Sequence, residues 1–209
     1  YLYPEWIDDR LIDVIAREDK ILKYLDIPLQ HCNDKILKKM NRRGDKKYLC
    51  ALLDKLRERI PGLVLRTSII AGLPGEGEEE FDELCDFLRE QKLLRAGVFP
   101  YSPEEGTRAA KMERVDSDEA ARRAERIVDI QSEIIDAWND ERQGDVMEVL
   151  CEGFDGQSML FVGRSYAESP DIDGRIYFSA PRDVAAGEFV PVRITGAMDG
   201  ELTGELAEE

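Results

Sequence analysis

The sequence predicts an α/β fold followed by a small β-barrel, and two observations on its 209 residues lead to this prediction. Through the first two-thirds of the chain, short apolar runs alternate with helices whose leucines and isoleucines recur at three- and four-residue steps. A repeated strand–helix–strand order requires crossover connections, and therefore parallel strands in a sheet or barrel. From Gly144 onward, short β-prone runs at about ten-residue spacing predict an antiparallel barrel or sandwich instead.

The strands predicted for the α/β part are apolar runs closed by proline, glycine or polar residues. They lie at 1–3, where Pro4 stops the first, and at 24–29, 63–70 and 96–101. Each helix is predicted to begin at a side chain that caps free N–H groups or complements the helix dipole. For the first four helices these starts are Asp8 or Asp9, Asn33 or Asp34, Asp45, and the run Glu78 to Glu80.

A change of composition at Gly144 separates two predicted domains, 1–143 and 144–209. The helix before the boundary is the longest and is predicted over 117–142, with Ala120, Ala124 and Ile127 on its buried side. The strands predicted for the second domain lie at 146–151, 159–162, 175–178, 189–194 and 201–206.

The net charge of −16 is concentrated in the second predicted domain. Residues 144–209 hold 14 acidic and 4 basic side chains, whereas the preceding residues hold 31 acidic and 25 basic ones. An acidic surface repels phosphate backbones and attracts basic proteins, which argues against non-specific binding of nucleic acid. The alternative is that the acidity serves solubility alone. No run of about 18 apolar residues occurs, so no membrane span is predicted.

The four cysteines, Cys32, Cys50, Cys85 and Cys151, lie far apart and form no C-x-x-C pair. Thiolates that share one metal ion are usually close in sequence, so a self-contained zinc or iron–sulfur site is not predicted. A disulfide framework is also not expected from four scattered cysteines. We interpret them as small buried apolar side chains in a protein of the reducing cytoplasm.

Three polar turns follow the predicted parallel strands, where α/β proteins usually bind their ligands. They are Gln30-His31, the stretch 66–75 and the stretch 101–107. The glycine-rich part, Gly72 to Glu76, lacks the Gly-Lys-Ser/Thr ending of a phosphate-binding loop, so hydrolysis of nucleoside triphosphates is excluded. With His31 as the only histidine, no Ser-His-Asp set is credible, and His31 fits a capping or pocket-lining role as well as a catalytic one.

Three longer motifs resemble those of the radical S-adenosylmethionine methylthiotransferases. They read YLDIPLQH at 24–31, MNRRG at 40–44 and LRTSIIAGLPGE at 65–76. The β-rich end of the chain resembles the TRAM domain with which those enzymes close. The resemblance covers nearly the whole chain and implies the carboxy-terminal portion of such an enzyme: a partial, TIM-like β/α barrel and then an OB-like TRAM barrel.

Two branches of this family compete, one that modifies tRNA beside the anticodon and the RimO branch, which modifies an aspartate of ribosomal protein S-twelve. The sequence FPYSPEEGT at 99–107 lacks the arginine that the tRNA branch usually has between serine and glycine. The stretch GRSYAESPDIDG at 163–174 resembles the RimO branch. A third alternative is a non-catalytic binding module that keeps the barrel remnant and the TRAM domain.

The RimO resemblance implies S-adenosylmethionine and two 4Fe-4S clusters as cofactors. One cluster would generate a deoxyadenosyl radical that takes a hydrogen atom from the β-carbon of the aspartate, and a methylthio group associated with the second would follow. The six cluster cysteines of the family match none of the four in this chain, so we expect the chain to be inactive alone. The expected partner is the basic protein S-twelve, bound through the acidic TRAM domain, with tRNA less favoured and no membrane.

Three residues, Gln30, Arg42 and Ser68, are carried over to the S-adenosylmethionine site from matching motif positions, and Arg66 is added because of its place on the same strand. Gln30 is expected to hydrogen-bond the ribose or the amino-acid portion, and Arg42 to pair with the carboxylate. Ser68 is expected to be a weaker ribose partner, and Arg66 shares its face of the strand. The alternative for Arg42 is an ordinary solvated helix end. No catalytic residue and no metal ligand is assigned to this chain.

Overall fold

The computed structural model describes residues 1–207 and divides into two compact units, Tyr1–Ile134 and Ile135–Glu209. The strands of the first unit are β1 (Tyr24–Asp26), β2 (Val64–Ala71) and β3 (Arg95–Pro100). Its helices are α1 (Asp9–Arg17), α2 (Asp34–Lys39), α3 (Lys46–Arg59), α4 (Glu78–Gln91) and the start of α5 (Ser117–Glu141).

The three strands of the first unit form one parallel sheet in the order β1-β2-β3. Leu25 pairs with Leu65, and Ser68 pairs with Gly97. Since α2 and α3 connect β1 to β2 and α4 connects β2 to β3, the predicted α/β organisation is confirmed. No helix among the described residues is long and apolar enough to cross a membrane.

Two strand predictions at the start of the chain differ from the structure. Residues 1–3 form no strand, although Leu2 N–H donates to the Asp26 carbonyl over 3.0 Å. Pro4 opens a short 3-10 helix, Pro4–Trp6, because its fixed φ suits a first helical position. The other difference is β1, which ends at Asp26 rather than at residue 29.

A local irregularity ends β1 early and shapes the edge of the sheet. Ile27 N–H donates to the Arg66 carbonyl and Gln30 N–H donates to the Ser68 carbonyl, both over 2.8 Å. Between these two hydrogen bonds, the chain advances by three residues after β1 but by only two residues along β2. Such an unequal count defines a β-bulge. Pro28 lies inside the bulge and has no N–H to donate, and Gln30 closes it with a φ of 69°.

The predicted caps are confirmed where the structure shows a side-chain hydrogen bond. Asp8, rather than Asp9, accepts from Leu11 N–H over 2.8 Å at the start of α1. Asn33 caps α2, and Asp45 caps α3 through Tyr48 N–H over 2.7 Å. The core packs helices onto one face of the sheet and includes Leu25, Leu65, Ile69, Leu53, Leu56, Phe81, Phe87 and Ile127.

The second unit contains a closed barrel with strand order β4-β5-β6-β8-β7. The strands are β4 (Val146–Asp155), β5 (Leu160–Arg164), β6 (Ile176–Ser179), β7 (Phe189–Met198) and β8 (Glu201–Leu206). All pairings are antiparallel except that of β6 with β8, which is parallel. The strand that follows β6 in sequence, β7, pairs with β4 and β8 instead of with β6. The barrel interior includes Val149, Phe161, Ile176, Phe178, Val190, Val192 and Ile194.

Candidate functional site

The face of the sheet opposite the helical core carries polar side chains. Along β2, Leu65 and Ile69 belong to the core, so the alternating Arg66 and Ser68 point to the other face. Arg66 is half-buried and its Nη1 lies 2.5 Å from Oδ2 of Asp26, its cross-strand neighbour. Ser68 is buried beside Gly97 of β3. The expectation that Arg66 and Ser68 share a face is consistent with this arrangement.

Gln30 and Ser68 are brought together by the bulge after β1. Gln30 is half-buried, its N–H donates to the Ser68 carbonyl over 2.8 Å, and its own carbonyl accepts from Ile70 N–H over 2.9 Å. The left-handed backbone of Gln30 is uncommon for a residue other than glycine and marks a position fixed by its surroundings.

Arg42 lies close to the same strand end. Its Nη1 donates to the Pro28 carbonyl over 3.1 Å, and its guanidinium carbon lies 4.9 Å from the ring centroid of Tyr3. This contact uses one of the five N–H groups of the guanidinium, so the side chain retains donors for an anion. The four predicted residues therefore surround the carboxyl ends of β1 and β2, with Arg66 further from the edge than Ser68.

A buried ionisable cluster lies behind this edge and consists of His31, Glu76 and Arg123. The side chains of His31 and Glu76 are 0% exposed and that of Arg123 is 5% exposed. Glu76 Oε1 accepts from Arg123 Nη1 over 2.9 Å and from Gly72 N–H over 2.8 Å. His31 Nε2 lies 3.3 Å from Glu76 Oε2, a polar contact whose geometry is not that of an aligned hydrogen bond.

The charges of the cluster follow from its contacts. His31 Nδ1 accepts from Asn33 N–H over 2.9 Å, which places the imidazole proton on Nε2, toward Glu76. Burial alone would raise the pKa of Glu76, but the contacts with His31, Arg123 and Gly72 N–H outweigh it and hold that pKa below its ordinary value. Burial likewise opposes ionisation of Arg123, whereas Glu76 and Glu119 raise its pKa.

Sequence reasoning missed Glu76 and Arg123 as members of a buried cluster. Arg123 lies three residues after Ala120 and four before Ile127, on the apolar stripe of α5, where an unpaired charge would be costly. That position was the available signal that an acidic partner is buried with it. The partner itself, Glu76, follows a turn and carries no comparable periodic signal.

The described cysteines do not provide a metal site. All four are free thiols, buried except for the half-buried Cys50. Burial raises the pKa of the thiols of Cys32, Cys50, Cys85 and Cys151. Among residues 1–207, no group of three or more His, Cys, Asp and Glu side chains is arranged to hold a metal ion. These residues do not fit an iron–sulfur cluster.

The barrel of the second unit carries an acidic groove of about 510 Å³ on β4, β5 and β6. Its lining includes three acidic residues, Glu152, Asp155 and Asp171, and one basic residue, Arg175, and Glu152 also pairs with Arg164 over 2.8 Å. Phe154 lines the same groove and is 52% exposed. The remaining lining residues are Gly153, Val162 and Tyr177.

Comparisons with protein families identify both parts of the chain. The profile of the Radical SAM superfamily matches residues 3–88, and that of the TRAM domain matches residues 144–207. Proteins named ribosomal protein uS12 methylthiotransferase RimO match across the chain. The protein from Acetivibrio thermocellus is 44% identical over 100% of this chain, and that from Pelotomaculum thermopropionicum is 47% identical over 98%. Over nearly its whole length, this chain is similar to RimO proteins.

The chain spans about half the length of these relatives, 46% and 47% respectively. A third relative, from Symbiobacterium thermophilum, is 46% identical over 100% of this chain, which covers 44% of that relative's length. The predicted resemblance to the carboxy-terminal portion of these proteins is confirmed.

A solved structure supports the fold of the radical SAM part. Coproporphyrinogen III oxidase (HemN) from Escherichia coli, described as a radical SAM enzyme, matches with a TM-score of 0.51 at 21% identity. The match covers 64% of this chain and 31% of that protein. The likeness concerns architecture, and it agrees with the predicted partial barrel.

Proposed function

We propose that this chain is part of a radical SAM methylthiotransferase that modifies the β-carbon of an aspartate in ribosomal protein uS12. One observation carries the proposal: relatives named for this activity match 98–100% of the chain at 44–47% identity. The proposed substrate places the protein in the cytoplasm, with the ribosome.

The chain's contribution to this reaction is binding rather than cluster chemistry. Because its four described cysteines do not fit a cluster, the ligands of both proposed 4Fe-4S clusters belong to other segments of the protein, and the chain alone is expected to be inactive. S-adenosylmethionine supplies the radical precursor in radical SAM enzymes. Here Gln30 and Ser68 offer an amide and a hydroxyl for its ribose or amino-acid portion.

Charge at the same edge suits the carboxylate of S-adenosylmethionine. Arg42 is held by Pro28 and Tyr3 and keeps free donors, so it is the better candidate for this charge-assisted contact. Arg66 already pairs with Asp26, and we assign it to orienting the pocket wall. Gly97 leaves room for this, since a Cβ there would lie 3.3 Å from Nη2 of Arg66.

The TRAM barrel is proposed to bind the basic protein uS12. The 14 acidic and 4 basic side chains of residues 144–209 favour a cationic partner and disfavour a phosphate backbone. The groove around Phe154 combines carboxylates with an exposed aromatic ring, which suits lysine and arginine side chains. tRNA is the competing partner.

The test uses the full-length protein with its clusters reconstituted anaerobically. It is incubated with S-adenosylmethionine, a reductant and a sulfide source, and with uS12 or a tRNA anticodon stem-loop in separate reactions. Mass spectrometry is expected to find a methylthio group in place of one hydrogen on a uS12 aspartate and no change in the RNA. Modification of the RNA alone would assign the chain to the tRNA branch, and modification of neither would contradict the proposal.

A further inference from the structure

We propose that His31, Glu76 and Arg123 are positioning residues that hold the carboxyl ends of β1 and β2 in the geometry that binds S-adenosylmethionine. The inference rests on the proposed function, which places the cofactor beside Gln30 and Ser68. All three side chains are almost fully buried, so they act through their neighbours rather than by touching the cofactor.

Glu76 is the centre of the arrangement because it joins two strand ends. Its Oε1 accepts from Gly72 N–H over 2.8 Å, and Gly72 directly follows β2. Its Oε2 faces His31, which directly follows Gln30 at the end of the bulge. One carboxylate thereby joins the turn after β2, through a hydrogen bond, to the residue that follows Gln30, through a polar contact of 3.3 Å.

His31 holds Gln30 from the other side as well. Its Nδ1 accepts from Asn33 N–H over 2.9 Å, so the imidazole bridges the start of α2 and Glu76. Gln30 precedes it with a left-handed backbone, a conformation that costs free energy for a residue with a side chain. Backbone hydrogen bonds to Ser68 and Ile70 hold Gln30 itself, and the cluster adds contacts at the next residue, His31.

Arg123 fixes the carboxylate through a third element, α5. Its Nη1 contacts Glu76 Oε1 over 2.9 Å and the carbonyls of Glu76 and Gly77 over 3.2 Å each. One turn earlier, Ala120 packs against Gly72. Two contacts therefore hold the turn between β2 and α4 against α5: the buried ion pair of Arg123 with Glu76, and the close packing of Ala120 on Gly72.

Stability alone does not account for such a cluster. Desolvating a carboxylate and a guanidinium costs about as much as their attraction returns, and an apolar trio of similar volume is often equally stable. A buried polar cluster instead restricts geometry, because its hydrogen bonds form only when the donors and acceptors are correctly oriented. The arrangement fixed here is the edge that carries Gln30 and Ser68.

The experiment measures two quantities on the full-length, cluster-loaded protein: the dissociation constant of S-adenosylmethionine by calorimetry and the hydrogen exchange of the Gly72 amide. Glu76→Gln keeps the shape but removes the charge, and it is expected to weaken cofactor binding about tenfold and to speed exchange at Gly72. Glu78→Gln is the matched control, because Glu78 contacts the same Arg123 over 3.3 Å but its side chain is 68% exposed. It is expected to leave both quantities unchanged.

A second pair of variants separates positioning from folding. His31→Asn retains an acceptor for Asn33 N–H but does not reach Glu76, whereas His31→Gln places an amide donor near the position of Nε2. We expect His31→Gln to bind the cofactor more tightly than His31→Asn at equal thermal stability. This pair decides the question if Glu76→Gln does not fold.

The outcomes separate this inference from the proposed function. A wild-type protein that does not bind S-adenosylmethionine would overturn the proposed function and the inference with it. Wild-type affinity in Glu76→Gln, or equal affinities in the two His31 variants, would overturn the inference and leave the proposed function standing. Faster exchange at Gly72 with unchanged affinity would show that the cluster serves the turn alone, which also contradicts the inference.

Discussion

Gly72 and Ala120 are in such close contact that a Cβ on Gly72 would lie 2.5 Å from the Cβ of Ala120. The Ala120 Cα would be only 3.1 Å away, and it belongs to the backbone of α5, which cannot rotate aside. Gly72 also has a φ of 81°, in the left-handed region that favours glycine. Two independent physical demands therefore require glycine at the end of β2.

Gly72→Ala is predicted to lower the free energy of unfolding by about 2–4 kcal/mol, because backbone strain and overpacking add. Gly106→Ala is the matched control, since Gly106 has a φ of 82° but nothing within 4 Å of the added Cβ. This variant should lower the free energy of unfolding by only about 1–2 kcal/mol, the cost of a left-handed backbone in a residue that has a side chain. Urea denaturation followed by circular dichroism measures both, and equal losses would refute the close contact with α5.

Gln30→Asn is predicted to weaken the binding of S-adenosylmethionine about tenfold without destabilising the fold. Asparagine tolerates the left-handed backbone of this position better than most residues, but its amide is one methylene shorter. The substitution therefore removes the reach of the side chain and preserves the bulge. Calorimetry on the cluster-loaded protein gives the affinity and thermal unfolding gives the stability. Unchanged affinity would remove Gln30 from the cofactor site.

The bulge at Gln30 also shows where sequence reasoning stopped. The apolar run at 24–29 predicted a strand of the right place and type, because apolar periodicity reports which segments are buried. It did not predict that Pro28 interrupts the ladder, since this depends on which N–H groups face β2. The same holds for Glu76 and Arg123, which are separated by 47 residues and are paired only by the packing of α5.

The barrel was more predictable than the cluster. Each of its strands overlaps a β-prone run of the sequence, and the last, Glu201–Leu206, matches the predicted bounds. Short glycine-bounded runs determine strands locally. The parallel pairing of β6 with β8 depends on the order in which the strands are arranged around the barrel, which no local sequence pattern encodes.

The contribution of Glu76 to stability is predicted to disappear in acid. Its pKa is below the ordinary value of 4.5 in the folded protein, so folding favours the charged form. The stabilisation is complete above the pKa of the unfolded chain and is lost as the pH falls through the lower folded pKa. Unfolding free energies of wild type and Glu76→Gln should therefore converge below about pH 4.5. A difference that stays constant from pH 7 to pH 3 would contradict the assignment.

The cysteines are predicted to react with iodoacetamide in a definite order. Cys50 is half-buried and should be alkylated first in the folded chain, whereas Cys32, Cys85 and Cys151 are buried and should react only after unfolding in urea. Burial raises the pKa of all four thiols and reduces the reactive thiolate of each, so the order of reaction follows from exposure. Alkylation mapped by mass spectrometry tests the order. Rapid modification of Cys32 in the native protein would contradict its placement.

Charge reversal in the acidic groove is predicted to weaken binding of uS12. Glu152→Lys adds a cation to the groove that is proposed to bind the basic partner, and the affinity should fall about three- to tenfold at low salt. Glu205→Lys is the control. Glu152 pairs with Arg164 over 2.8 Å, and Glu205 likewise lies opposite an arginine, Arg193, on the neighbouring strand. Glu205, however, lines a different groove. Because salt screens exposed charges, the effect of Glu152→Lys should shrink as ionic strength rises. Titrations of uS12 at two salt concentrations measure this, and an equal effect of both substitutions would indicate that net charge, rather than this groove, attracts the partner.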